Sequence, residues 1–159
     1  MGKPVAEHEW LAQLVGEWEW EGEVSPQPGQ PPHKLTGVER VRSLSGMWFI
    51  CESAGSHGDE CGIEHVVTLG YDPDRGCYVG TWIGSMMSTL WVYQGQLDET
   101  RTRLLLCSDG PDCFDAGKIS HYRDIVVIID DDHRELHSEV QREDGEWEKL
   151  LVTRFRRTG

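Results

Sequence analysis

The chain has 159 residues, 28 of them acidic and 15 basic, for a formal net charge of -13. That excess repels phosphate backbones and anionic lipid surfaces, which argues against a nucleic-acid or membrane partner. A neutral or a cationic small ligand is compatible with it, and the charge selects neither. No apolar run reaches the roughly 18 residues of a membrane helix, and the N-terminus lacks the basic-then-apolar pattern of a secretory leader, so a cytoplasmic location is expected. The length fits one domain, residues 1–159, large enough to bury a core without disulfide or metal staples. Cys51, Cys61, Cys77, Cys107 and Cys113 are odd in number and form no CxxC pair, as expected of free thiols packed as small hydrophobes.

In chain order, Val5 to Val15 spaces Val5, Trp10, Leu11, Leu14 and Val15 as one helical face, with Glu7 and Glu9 near the positive helix end. A short lid helix is predicted there. Glu17 to Glu23, EWEWEGE, alternates strictly and puts Trp18 and Trp20 on one face of a strand. Ser25 to His33, with four prolines and a glycine, reads as an exposed loop, and the small polar stretch Ala54 to Cys61 as a second one. Strand-sized runs follow at Val38–Leu44, Met47–Ser53, Glu64–Tyr71, Tyr78–Ile83, Met87–Leu97, Arg103–Ser108, Ile119–Ile129, Glu135–Gln141 and Glu146–Arg156. Turn chemistry separates most of them, as at Ser45–Gly46, Asp72 to Gly76 and Asp144–Gly145. Connections this short cannot hold crossover helices, so the strands form an antiparallel meander. About ten strands curl, and an up-and-down β-barrel that removes its own edges is the predicted all-β architecture, with a two-sheet sandwich as the alternative.

The segments HEWLAQLVGEWEWEGE, YDPDRGCYVGTWIGSMMSTLWVYQGQLDE, GKISHYRDIVVIIDDDHRELHSEV and DGEWEKLLVTRFRR together resemble the bacterial family catalogued as domain of unknown function 1579. Tyr78 to Trp91, with paired Met86–Met87, is the most specific element of a similarity that spans nearly the whole chain. It implies a lipocalin-like, or calycin, barrel and carries over no catalytic residue. Gly16–Glu17–Trp18 is similar to the Gly-x-Trp signature of calycins, whose tryptophan plugs one barrel end. The haem-binding, nitrobindin-like branch extends that signature with a glycine where this chain has Trp20, a departure that speaks against haem. No cofactor is expected.

Barrels of this size leave either a packed core or a pocket for one small ligand. The stretch Cys77 to Tyr93 concentrates the candidates: Trp82, Met86, Met87, Trp91 and Tyr93 form an aromatic and methionine wall for an apolar or flat molecule. A packed core with one methionine covering the mouth is the alternative. His121 and Arg123 are the candidate polar groups, placed with Ile125, Val127 and Ile129 on one face of their strand. They read either as a polar floor or as partly solvated residues paired with glutamate. The leading expectation is a small-molecule binding barrel. An enzyme with His121 as acid or base and Arg123 steadying an oxyanion, or a packed barrel that forms a homodimer, are the alternatives. A specific metal site is not expected: no histidine pair shares a helix face, and His57, Asp59, Glu60 and Cys61 suit only an adventitious ion. Ser85 lacks the Gly-x-Ser-x-Gly turn of a hydrolase nucleophile.

Overall fold

The computed structural model describes residues 2–24, 29–57 and 60–159. Helix α1 (Ala6–Ala12) precedes ten strands: β1 (Gly16–Val24), β2 (His33–Leu44), β3 (Trp48–His57), β4 (Glu60–Asp72), β5 (Cys77–Gly84), β6 (Trp91–Leu97), β7 (Arg103–Pro111), β8 (Ile119–Ile128), β9 (His133–Gln141) and β10 (Trp147–Arg157). Each strand pairs antiparallel with its sequence neighbours, and β1 pairs with β10 to close the barrel. The predicted up-and-down barrel with a short N-terminal helix is therefore the architecture, and the sandwich is not.

Three local expectations change. The helix is seven residues long and stops at Ala12. The run predicted from Met87 begins only at Trp91, because residues 85–90 form the turn that carries β5 into β6. The stretch expected as a loop over Ala54 to Cys61 is largely strand, with β3 reaching His57 and β4 starting at Glu60. Small residues stand there because Trp20 lies against the backbone: a Cβ on Gly55 would sit 2.5 Å from the Trp20 ring, and one on Gly37 2.3 Å from it. Residues 25–28 of the expected proline loop, and Gly58 and Asp59 of the suggested ion loop, lie outside the described residues.

One end of the barrel is shut. Leu11 of α1 and Leu14 just after it are fully buried, and the Trp10 indole donates to the Arg101 carbonyl in the β6–β7 turn at 2.6 Å. Trp18 donates to the Leu14 carbonyl at 2.9 Å, which places this tryptophan at the helix-covered end. Arg134 lies over both Trp18 and Phe155, with its guanidinium carbon 4.6 and 3.8 Å from the two rings, and hydrogen-bonds Glu39. This pair has only 6% and 5% of its side-chain surface exposed, so each charge depends on the other. Arg134→Leu alone should lower stability in urea unfolding by about 3–5 kcal/mol, because Glu39 is left charged and unpaired. Adding Glu39→Leu should restore most of the loss, and a double variant as unstable as the sum of the two single ones would contradict the coupling.

Candidate functional site

Side chains alternate along each strand, and the register identifies which of them share the interior. In β5 and β6, Trp82 is paired with Trp91, and Gly80 with Tyr93. Tyr93 is in the buried core and Trp82 packs against that core, so this face of the hairpin turns inward. Across β7 to β9 the same face runs through Leu106, Asp124 and Ser138, and one step nearer the rim through Ser108, Tyr122 and Val140. His121 and Arg123 belong to the opposite face.

At the end remote from α1, the turn from β5 into β6 carries Met86 and Met87, both exposed. Trp91 donates from its indole nitrogen to the Met87 sulfur at 3.2 Å and meets Tyr122 edge-on at 5.0 Å between centroids. Trp82 stacks on His65 at 5.6 Å. Both tryptophans are held flat by glycine: a Cβ on Gly84 would fall 2.3 Å from the Trp82 ring, and one on Gly110 2.2 Å from Trp91. Tyr122 in turn ties down the β7–β8 connection, donating to the Pro111 carbonyl at 2.7 Å and accepting from the Cys113 amide at 3.0 Å. Burial first, then the neighbouring Cys113 side chain and the Asp112 charge, push its hydroxyl up to about 12, against the lowering effect of the bond from the Cys113 amide.

Several inward residues here keep accessible surface, although Ser108, Ser120 and Val140 beside them are buried. Val67, Trp82, Trp91, Tyr122, Asp124 and Ser138 are all half-buried although their strands point them into the barrel. Just below, the packing closes: Phe49, Leu69, Leu104, Leu106 and Val126 are at most 4% exposed. The upper half is thus a cup with an aromatic rim and an apolar base. Asp124 stands at its floor, where the Tyr93 hydroxyl donates to its carboxylate. Desolvation raises the Asp124 carboxyl above its usual range, against the lowering effect of hydrogen bonds from Tyr93 and Ser138. His65 is shifted downward by the same desolvation, opposed by nearby Glu39, and is neutral at pH 7.

Of the seven residues singled out in the sequence, the structure brings Trp82, Met86, Met87, Trp91 and Tyr93 to this end. His121 and Arg123 do not join them, which corrects their expected place as a polar floor. His121 is 68% exposed and hydrogen-bonds Asp109 on the outer face. Arg123 pairs with Glu139 at 3.2 Å and lies 4.1 Å above the Trp147 ring, also outside. An acid-base pair built from His121 and Arg123 therefore has no access to the cup. His137 lies on that outer face as well, bonded to Glu135 at 2.9 Å. A separate concavity of about 1000 Å³ also lies outside, an open groove over Gly37 and Gly55 edged by Glu19, Glu21, Arg154 and Arg156. Its Arg156–Glu19 pair is solvated, and its walls supply no enclosed surface.

The raised Asp124 carboxyl has a stability consequence. Above its folded-state pKa the ionised group is desolvated and weakens the fold; as pH falls through that pKa the folded form takes up the proton first and the penalty disappears. Asp124→Asn should therefore melt about 2–4 °C above the parent at pH 7, the shift that 1 kcal/mol makes in a protein of this size. Calorimetry at lower pH should find the gap closing, and a variant that melts below the parent at every pH would contradict this account.

Among solved structures, the chain is similar to the M. tuberculosis protein Rv2717c, with 12% identity, a TM-score of 0.69 and coverage of 99% of this chain and 100% of that one. It is also similar to EF1p2_mFAP2b bound to DFHBI, with 9% identity, a TM-score of 0.51 and coverage of 95% and 98%. At these identities the likeness is one of fold. No curated protein matches the chain in sequence. Residues 3–157 match the model of the family described as protein of unknown function (DUF1579), and the chain belongs to that family.

Proposed function

We propose that the protein binds a small flat molecule in the cup between Trp82, Trp91, His65 and Tyr122. The observation that carries this reading is the accessible surface kept by inward-facing residues above a fully closed layer. A barrel that served only as a packed scaffold would fill this space with aliphatic side chains. Here Ser138 and Asp124 occupy inward positions, and aromatic rings seated on glycine line the wall. Rings held flat offer apolar area to a ligand with little loss of side-chain freedom on binding. Met86 and Met87 at the rim add soft surface that adapts to ligands of different outline. EF1p2_mFAP2b, a barrel of similar fold, is bound to DFHBI, which supports the reading by analogy of architecture.

The reading favours simple binding over catalysis, because the His121 and Arg123 pair on which an acid-base mechanism would rest faces away from the cup. We place the protein in the cytoplasm: the described cysteines Cys51, Cys77, Cys107 and Cys113 are free thiols, the state that a reducing compartment maintains. Among the described residues no helix is long and apolar enough to cross a membrane.

Acridine, a flat uncharged tricycle at pH 7.5, is a suitable probe and should quench tryptophan emission saturably. Trp82→Ala should weaken its binding about three- to tenfold, the worth of one aromatic contact. His121→Ala, on the outer face, should leave it unchanged. Loss of binding in His121→Ala with retention in Trp82→Ala would contradict the cup as the site.

A further inference from the structure

We infer that the ligand carries a protonated nitrogen and that Asp124 is its anchor. The inference rests on the cup being the binding site. Among the described residues, Glu39 and Asp124 are carboxylates set deep on the inward face, and they are treated differently. Glu39 has its cation built in, since Arg134 is buried beside it and hydrogen-bonds it. Among the described residues Asp124 has none: the groups that act on its carboxylate are the hydroxyls of Tyr93 and Ser138, both neutral.

A carboxylate has about four acceptor positions, and two hydroxyl donors leave capacity for more. Buried charge is costly unless a partner neutralises it, so an acid held in a hollow with only neutral donors is a site that a cation completes. The surroundings agree. His65, the titratable base on the cup wall, is kept neutral by burial and so does not repel a cation. Trp82 and Trp91 are register partners on the inward side of β5 and β6, and aromatic rings attract a positive charge spread over a flat heterocycle. An anionic ligand would meet Asp124 with like charge in a poorly solvated place, which excludes carboxylate- or phosphate-bearing molecules from the floor. The substrate class is thus a flat basic molecule: a heteroaromatic amine or amidine whose N–H donates to Asp124 while its rings lie along the tryptophans.

The test compares two probes of nearly one shape at pH 7.5: 9-aminoacridine, which is protonated there, and acridine, which is not. Titrations at about 0.15 M salt screen the surface contribution of the overall charge of -13. The parent protein should bind 9-aminoacridine at least about tenfold more tightly, the scale of one hydrogen bond to a charged group. Asp124→Asn should abolish that preference, bringing the affinities for the two probes to within about twofold of each other. Tyr93→Phe, which removes a neutral donor from the carboxylate and keeps the ring, should widen the preference. Equal affinity of the parent for both probes overturns the inference, as does a preference that neither substitution moves, since surface charge alone would produce that. If neither probe binds, the cup itself fails as the site; if acridine binds as well as 9-aminoacridine, the cup stands and only the anchor falls.

Discussion

The pairing of β1 with β10 is the constraint on which the rest depends. It joins the two ends of the sheet over Trp18–Arg157 to Val24–Leu151 and leaves the β1 tryptophans facing inward. Without that closure Trp18 would have no Arg134 and Arg157 stacked on it, and α1 would have no rim to cover. Arg157 ties the same seam to the helix end, donating to the Val15 and Gln13 carbonyls at 2.6 and 2.8 Å. A closed sheet has an inside, and the alternation of side chains then sorts every strand residue into core, cup or surface.

Inside, the two ends are built to opposite rules. The α1 end places large apolar side chains and a mutually neutralised Glu39–Arg134 pair in a space that admits no solvent. The other end places Ser138, Asp124 and His65 where aliphatic residues would fill the volume, and rigid tryptophans around them. Stability is concentrated in the first and openness in the second.

Much of this was legible in the sequence. The alternation of EWEWEGE, the short turns and the aromatic run from Cys77 to Tyr93 carry enough period-2 signal to predict the barrel and its tryptophan wall. β8 was misread for a physical reason. Its outer face carries Ile119, Ile125 and Val127, as apolar as the inner face of Tyr122, Val126 and Ile128, so hydrophobicity does not say which is inside. Ile125 is in fact buried, yet by neighbours on the outer surface. The inner face also holds Ser120 and Asp124, polar residues that a core pattern leads one to place outside. Pairing with Leu104 and Leu106 of β7 resolves the ambiguity, and a single strand read alone contains no such information. His65 was missed likewise: its role comes from the ring of Trp82 on the neighbouring strand.

The central claim is that the barrel is hollow at one end and solid at the other, and five of its seven tryptophans report on this directly. Trp10 and Trp18 lie at the shut end, Trp147 is stacked on the outer face, and Trp82 and Trp91 line the cup. Indole N–H signals in nitrogen-15 correlation spectra, followed through an acridine titration, should show the Trp82 and Trp91 resonances moving while those of Trp10, Trp18 and Trp147 stay in place. Movement of Trp147 with Trp82 and Trp91 unmoved would put the binding surface outside the barrel and contradict the account.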